Sequence, residues 1–350
     1  MLVLHLEDEP WDSGLAHYAL TLAAEQARRG DRVAVWGLKD SPVLKAAAEA
    51  GLETRAWTAG PMGWAEIPAL KRAAKAFAPE VIDAHTGSAH ALALMIAPRG
   101  AAVVRTRADA RPAHATSLTR WAAGRTAAFV AANSALKASL EAAFPKALVR
   151  LVPQGIAGPE EWSSPPGAPV AGVLARLDAV KGHEVLLEAA RLLQPRVPGL
   201  RILCAGEGSL LGRLRWQLEP LKLAQTVRFL GRVPDAWAFA AGCRVGVAPS
   251  LGSEAVSRAV LEWMAAGRAV VASRVGGIPD LVEDGVTGLL VPPGDAAALA
   301  AALESVLKDP GRAEAMGAAG RARWEERFSP APFLRETRAV YDEAIHSLPR

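Results

Sequence analysis

The chain has few of the features that mark a secreted or disulfide-stabilised protein. It contains two cysteines among 350 residues, Cys204 and Cys243, and each lies in an apolar run. This pattern predicts two buried free thiols in a reducing compartment, and the chain offers too few suitably spaced ligands for a structural zinc site. We therefore expect a cytoplasmic protein.

Long apolar runs are also missing. No stretch approaches the roughly 18 uninterrupted apolar residues of a membrane span. The first residues, MLVLHLEDE, have no basic lead and soon turn acidic, so we expect a first strand there and not a signal peptide. Hydrophobic residues make up 51% and charged residues 22% of the chain, a balance that excludes a disordered or fibrous protein.

Charge of one sign is only in small excess. Forty basic and 36 acidic side chains give a net charge of +4, without the basic stripe and interleaved aromatics of a nucleic-acid-binding protein. One local cluster of arginines, with Asp109 as the single acid between them, consists of Arg99, Arg105, Arg107, Arg111, Arg120 and Arg125. It is either a solvated surface or a patch for an anionic acceptor or anionic lipid, the latter implying peripheral contact with the inner face of a membrane.

Strand-like runs alternate with helix-length amphipathic segments, a pattern typical of an α/β fold with mostly parallel sheets. The pattern of strand, polar loop, helix and strand occurs first from Leu2 and again from Val170. Apolar residues at helical spacing predict one buried face on each first helix. These faces comprise Leu15, Tyr18, Ala19, Leu22 and Ala23 in the first half and Leu186, Ala189, Ala190 and Leu193 in the second.

Residues 160–169, EEWSSPPGAP, have the composition of a linker. We therefore expect two Rossmann-like domains, 1–162 and 163–330, with a final helix at about 331–350 that packs back on the first domain. Because open α/β sheets bind ligands at the carboxyl ends of their strands, two such domains facing one another would form a cleft.

The stretch 249–295 contains the richest set of candidate binding groups. The strand VGVAPS is followed by a loop with Glu254, and a helix is predicted to begin near Ser257 with Glu262 about two turns inside. A helix N-terminus can hold a diphosphate, while Glu254 could reach a sugar ring and Glu262 a ribose. Further on, EDGVTGLLV predicts a glycine-turned hairpin.

Two more loops follow predicted strands of the second half. Arg176 and Lys181, five positions apart, could neutralise a diphosphate, or they could lie in an ordinary solvated turn. Gly206-x-Gly208 nearly matches a dinucleotide-binding fingerprint, but Gly212 comes one residue too late, so a nicotinamide site is not favoured.

Several spaced motifs, taken in order, resemble those of the retaining, nucleotide-sugar-dependent glycosyltransferases of family four, which have the GT-B fold. ARLDAVKGH resembles the family's donor-phosphate loop, and CAGEGSLLGRL with VRFLGRV resembles the strand–loop pair that follows it. WDSGLAHY is similar to its acceptor-side glycine loop, VPQGI to the crossing between domains, and RWEERFSP to its tail. The resemblance covers almost the whole chain.

This resemblance implies transfer of a sugar from a nucleoside diphosphate sugar to a hydroxyl of a glycan or lipid acceptor, in cell-envelope or lipopolysaccharide synthesis. It implies retention of the anomeric configuration and neither a metal nor a further cofactor. The catalytic positions that it implies are Glu254, Arg176, Lys181 and His85. The donor-binding positions that it implies are Gly14, Gly206, Val233, Ser257, Arg258 and Glu262.

Two positions depart from the family pattern. Ala108, after the strand VVRTR, stands where the family usually carries a histidine, and AVSRA replaces the family's usual segment between the two glutamates. The first departure supports one alternative, a nucleotide-sugar-binding protein with weak or no transfer activity. A further alternative is an epimerase or hydrolase on the same fold. His85 itself could instead be an ordinary buried histidine.

Overall fold

The computed structural model describes residues 1–11, 13–58, 61–252 and 254–348. The chain divides into two compact units, Met1–Gly155 with Pro330–Arg350, and Ile156–Ser329. The division falls at Gly155 and Ile156, earlier than the 162/163 boundary suggested by the proline-rich composition. The reason is that Ile156 already packs in the core of the second unit, where its N–H donates to the Phe328 carbonyl at 2.9 Å.

The first unit is built on a seven-stranded parallel sheet in the order β3-β2-β1-β4-β5-β6-β7. Its strands are β1 (Leu2–Glu7), β2 (Arg32–Leu38), β3 (Glu53–Trp57), β4 (Val81–Ala84), β5 (Ala102–Arg107), β6 (Ala128–Ala131) and β7 (Val149–Leu151). The strand order reverses between β1 and β4, where His5 lies opposite Asp83 and Leu6 opposite Ala84. This reversal is the position at which parallel α/β sheets bind ligands.

Within the described residues, six helices connect these strands: α1 (Gly14–Arg28), α2 (Pro42–Glu49), α3 (Pro61–Phe77), α4 (Gly87–Ile96), α5 (Ser117–Ala123) and α6 (Ser134–Ala143). Short polar side chains begin several of them. The Ser13 hydroxyl accepts from the Ala16 N–H at the start of α1, and the Asn133 side chain does the same for Leu136 at α6. The apolar face predicted for α1 is confirmed, because all five of its residues are buried.

The second unit contains a six-stranded sheet in the order β10-β9-β8-β11-β12-β13. Its strands, paired in parallel, are β8 (Val170–Leu174), β9 (Arg201–Ala205), β10 (Val227–Gly231), β11 (Val245–Ala248), β12 (Ala269–Ser273) and β13 (Gly288–Val291). The predicted hairpin at EDGVTGLLV is wrong. A tight turn, closed by the Gly285 N–H on the Gly288 carbonyl at 2.8 Å, leads instead into β13, which pairs in parallel with β12.

One turn of 3-10 helix, Ala179–Lys181, precedes the helices of this unit. They are α7 (His183–Leu193), α8 (Leu211–Leu218), α9 (Ala236–Ala241), α10 (Arg258–Ala265), α11 (Ile278–Leu281), α12 (Ala296–Leu307) and α13 (Pro310–Arg327). The predicted apolar face of α7 is buried, as expected. Cys204 and Cys243 are buried free thiols, and burial raises the pKa of each to about 12, so neither is a reactive thiolate.

The last helix, α14 (Pro330–His346), belongs to the first unit and closes one face of its sheet. The Tyr341 hydroxyl donates to the buried Asp83 carboxyl at 2.6 Å. Phe333 packs edge-on against Tyr18, with 5.0 Å between ring centroids. Among the described residues, no helix has the length and apolar character to span a bilayer.

The hydrogen bond from Tyr341 to Asp83 generates a stability prediction. Tyr341→Phe keeps the ring but leaves a buried carboxyl short of a donor, so we expect the free energy of unfolding to fall by about 1.5–3 kcal/mol in urea titrations. Tyr18→Phe is the matched control, because the Tyr18 hydroxyl donates to a neutral carbonyl, that of Val152, at 2.9 Å. Its expected loss is about 0.5–1.5 kcal/mol, and equal losses would contradict the assignment.

Candidate functional site

The second sheet reverses its strand order between β8 and β11. Two loops leave the carboxyl ends of these neighbouring strands, residues 175–182 and residues 249–257. The Leu251 N–H donates to the Val180 carbonyl at 2.8 Å and so ties the loops together. Polar side chains on them are therefore held at the position where a parallel sheet binds its ligand.

Three of these side chains form one hydrogen-bonded group. Lys181 Nζ and Ser250 Oγ both donate to Glu254 Oε1, each at 2.6 Å. The Glu254 side chain is only 4% exposed, whereas that of Lys181 is 22% exposed. The carboxylate is thus fixed in place, while the ammonium keeps an open side from which it can meet an anion.

Sequence reasoning selected Lys181 and Glu254 but missed Ser250. The signal was present, since Ser250 ends the segment VGVAPS directly after β11, at the carboxyl edge of the sheet. Ser250 is 2% exposed, so its hydroxyl is committed to the carboxylate and does not compete for solvent.

Two glycines allow the loops to approach each other closely. Gly182 has a φ of +69°, and a Cβ there would lie 1.9 Å from the Pro249 carbonyl oxygen. Gly206, after β9, has a φ of +143°, and a Cβ there would lie 1.9 Å from the Ala175 carbonyl oxygen. A larger residue at position 182 would push apart the loops that carry Lys181 and Glu254, and one at position 206 would push the Lys181 loop away from the loop after β9.

The other predicted residues of the second unit lie outside this group. Arg176 pairs with Asp178 at 3.0 Å, and its side chain is 67% exposed. Arg258 Nε donates to Glu262 Oε1 at 2.8 Å, one turn apart on α10, and Ser257 is the buried residue at the start of that helix. The glutamate expected at a ribose, Glu262, is therefore paired with Arg258, a second predicted donor-binding residue.

Val233 lies in the loop after β10 and is partly exposed. The neighbouring ends of β9 and β10 are joined by the Gly206 N–H, which donates to the Gly231 carbonyl at 2.8 Å. Val233 and Gly206 therefore lie on loops from adjacent strands. Val233 has an apolar side chain and Gly206 has none. Any contribution of these residues to ligand binding must therefore come from backbone groups or apolar contacts.

In the first unit, His85 directly follows β4, at the reversal of strand order. Its Nε2 shares a hydrogen bond of 3.0 Å with His5 Nδ1, and the second nitrogen of His5 is 2.7 Å from Gln26 Oε1. Both histidines are fully buried, and burial lowers the pKa of His85 to about 3, so its ring is neutral. His85 Nδ1 has no hydrogen-bond partner among the described residues, so this side chain is not a fully satisfied core histidine.

The same region contains a group of three residues that could hold a metal ion, His5, Asp83 and His85, whose ligand atoms lie within 4.8 Å of one another. Protein hydrogen bonds already occupy much of this group. Asp83 accepts from Thr106 Oγ1 at 2.7 Å as well as from Tyr341, and the two rings are bonded to each other. The arrangement is that of a polar layer linking the sheet to α1 and α14.

Glu7, the last residue of β1, was missed by the sequence reasoning. Its Oε1 accepts from the Glu9 N–H at 2.8 Å, and its Oε2 is buried without a partner among the described residues. Burial is the main cause that raises its pKa from 4.5 to about 8, so the carboxyl is largely protonated at neutral pH. Glu7 and His85 follow the paired residues Leu6 and Ala84, which places two incompletely bonded polar groups at adjacent strand ends.

Family models match both units of the chain. One described as Glycosyltransferase Family 4 matches residues 13–157, and one described as Glycosyl transferases group 1 matches residues 168–309. The chain belongs to the family 4 and group 1 glycosyltransferases. The chain also has the GT-B fold: HepE of Anabaena, crystallised with UDP, superposes with a TM-score of 0.84 at 21% identity, covering 98% of this chain and 100% of that one.

Curated relatives of the chain include two proteins of Mycolicibacterium smegmatis. A GDP-mannose-dependent alpha-(1-6)-phosphatidylinositol monomannoside mannosyltransferase is 38% identical over 162 residues, which are 44% of this chain and 42% of that protein. A phosphatidyl-myo-inositol mannosyltransferase is 43% identical over 131 residues, 37% of this chain and 33% of that protein. The matched segments thus span less than half the length of these relatives.

Two further positions of the chain were singled out by the sequence. Gly14 is the exposed first residue of α1, directly after the capping Ser13. Ala108, where the family pattern has a histidine, follows β5 and is 4% exposed. It lies between Arg107 and Asp109, whose side chains are joined at 2.6 Å, so the acid that follows Ala108 is held by an arginine.

The raised pKa of Glu7 gives the protein a specific pH dependence of stability. Between its ordinary pKa of 4.5 and about 8, the folded state holds a proton that the unfolded state has lost, so stability falls as pH rises through this window. Glu7→Gln cannot ionise, so we expect it to gain roughly 3–5 kcal/mol relative to wild type between pH 5 and 9.

Urea unfolding at a series of pH values measures this gain. Glu9→Gln is the control, because Glu9 is much less buried than Glu7 and its pKa is raised less. Parallel stability curves for wild type and Glu7→Gln would show that Glu7 is ionised in the folded protein.

Proposed function

We propose that the protein is a retaining glycosyltransferase that moves a sugar from a nucleoside diphosphate sugar to a hydroxyl of a glycan or lipid-linked acceptor in cell-envelope glycan synthesis. The observation that carries this proposal is the group of Lys181, Glu254 and Ser250 at the reversal of the second sheet. It lies within the residues that match the group 1 model. A cytoplasmic site of action accords with the two free thiols.

The leaving diphosphate is the group that this arrangement would stabilise. As the bond between the anomeric carbon and the diphosphate oxygen breaks, negative charge develops on that oxygen, and Lys181 can turn its open side towards it. Arg176, on the same loop and largely exposed, is free to swing from Asp178 to a phosphate. Two side-chain cations would supply the positive charge that a metal ion supplies in other transferases, so we propose a reaction without a metal.

Glu254 would hold the transferred sugar. When Lys181 turns to the diphosphate, the buried carboxylate keeps the Ser250 hydrogen bond and gains a free acceptor position, which a sugar hydroxyl can fill. Retention follows if the acceptor attacks from the face that the diphosphate leaves. The acceptor oxygen then bonds to the anomeric carbon, and its proton passes to the departing diphosphate.

The similar proteins differ in the nucleotide base of the molecules they are named for or crystallised with, so they do not identify the base of the donor. One relative is named for GDP-mannose, and HepE was crystallised with UDP. Thermal unfolding with UDP, GDP, ADP and their sugar conjugates decides between them. We expect one base to stabilise the protein by about 2.7 kcal/mol at a hundredfold excess over its Kd. If none raises the transition temperature, the proposed donor site is not functional.

A substitution tests the role of Glu254. We expect Glu254→Ala to lower turnover by about two orders of magnitude while the protein stays folded, because one preorganised contact to the reacting sugar is lost. Glu188→Ala is the control, since Glu188 is exposed on α7 and pairs with Arg191 away from the loops. Near-normal turnover in a folded Glu254→Ala variant would remove Glu254 from the site.

Ala108 favours a second candidate, a nucleotide-sugar-binding protein with weak or no transfer. The donor site of the second unit does not depend on this residue, so nucleotide binding would survive without turnover. An epimerase or hydrolase on the same fold would instead release product from the donor alone. Measuring product with and without acceptor separates both from the transferase.

A further inference from the structure

Helix α5 leaves its largest apolar side chains in solvent. None of its residues is buried, and Leu118 and Trp121 are 73% and 50% exposed. They lie three positions apart and therefore on the same face of the helix. Contiguous exposed apolar side chains are a feature of interaction surfaces, whereas apolar residues scattered singly are ordinary.

Positive charge surrounds this apolar pair. Between Ala110 and Ala127 the chain has three arginines and one histidine but no aspartate or glutamate. The Arg125 guanidinium stacks over the Trp121 ring, with 4.2 Å from its central carbon to the ring centroid. Arg120, on α5 itself, is exposed. The apolar face and the cations thus form a single patch.

The arginine cluster seen in the sequence is not one surface. Arg105 is 6% exposed and donates to the backbone carbonyls of Ala84 and Thr106. Arg107 is bonded to Asp109 through two nitrogens. The arginines left for a partner near α5 are therefore Arg120 and Arg125, together with Arg111, whose side chain is 88% exposed although its Nε lies 3.9 Å from Asp109 Oδ1.

The patch is held in a defined shape. Thr116 and Thr119 cap α5 reciprocally at its start. The Ala113 N–H donates to Ser139 Oγ at 2.8 Å before the helix, and Thr126 Oγ1 shares a 2.8 Å hydrogen bond with His90 after it. Both ends of the segment are thus tied to the first unit, so the exposure of Leu118 and Trp121 is built into the fold.

We propose that the α5 patch, Leu118 and Trp121 with Arg111, Arg120 and Arg125, docks on a membrane surface containing anionic lipid. Trp and Leu enter the headgroup boundary readily, and arginines keep their charge at the phosphates while their stems lie in the apolar layer. Two apolar residues are too few for the core of a typical protein interface of about 800 Å² per partner. The inference rests on the proposed function only in that a lipid-linked acceptor would lie at such a surface.

Cosedimentation with phosphatidylcholine vesicles, with and without phosphatidylglycerol, tests the proposal. We expect binding only to the anionic vesicles, weakening as salt is raised. Leu118→Ser with Trp121→Ser should lower binding at least tenfold, and Arg120→Gln about fivefold. The control is Trp216→Ser, because Trp216 is 76% exposed on α8 beside Arg213 and Arg215 and should leave binding unchanged.

Three results would overturn the proposal: equal binding to both vesicle types, no effect of the double substitution, or an equal effect of Trp216→Ser. A change of oligomeric state in the double variant would assign the patch to a second copy of the chain. Thermal unfolding of each variant checks that it is folded. The assay contains neither nucleotide nor acceptor, so its failure is separate from a failure of the transferase proposal.

Discussion

The geometry of the candidate site in the second unit depends on how the charge of one buried carboxylate, that of Glu254, is compensated. Glu254 is 4% exposed, and charge at this depth is costly unless a cation and hydrogen bonds compensate it. Lys181 and Ser250 provide both, and they come from loops after two different strands. The glycine at position 182 and the hydrogen bond between Leu251 and Val180 bring those loops close enough. The ion pair between Lys181 and Glu254 therefore fixes the two loops relative to each other.

That ion pair also explains how a ligand could be recognised. A diphosphate competes with Glu254 for Lys181, and a sugar hydroxyl can replace Lys181 on Glu254. A nucleoside diphosphate sugar carries both groups in one molecule, so it can separate the pair without leaving either charge unpaired. A free diphosphate would satisfy Lys181 alone and leave the carboxylate with Ser250 only, a penalty that favours the complete donor.

In the first unit, the buried polar side chains at the strand ends are neutral instead of ion-paired. Glu7 and His85 lie at adjacent strand ends, and burial keeps both neutral at pH 7, with pKa values of about 8 and about 3. Each retains a polar atom without a partner among the described residues. A neutral carboxyl and a neutral imidazole can each donate or accept, which suits hydroxyl groups better than ions. The two sheets thus present opposite chemistry at equivalent positions, charged in the second unit and neutral in the first.

Much of this architecture could be predicted because it is local. Helical spacing identified the buried faces of α1 and α7, and strand–loop–helix repetition identified two parallel sheets. The turn before β13 was misread because Gly285 and Gly288 are as compatible with a hairpin as with a turn into a parallel strand. Glu7 was missed for another reason: its role arises from burial that only the folded sheet creates. Ser250 could have been selected from its position at the end of VGVAPS.

The arginines after β5 show most clearly where sequence reasoning ends. In sequence they form one basic cluster, and nothing in their spacing separates them. The fold assigns Arg105 to backbone carbonyls and Arg107 to Asp109, and it leaves Arg120 and Arg125 beside exposed apolar side chains on α5. Net charge over a segment therefore overstates what a partner would meet. The charge available to a partner belongs to the arginines that form no ion pair with an acidic side chain among the described residues.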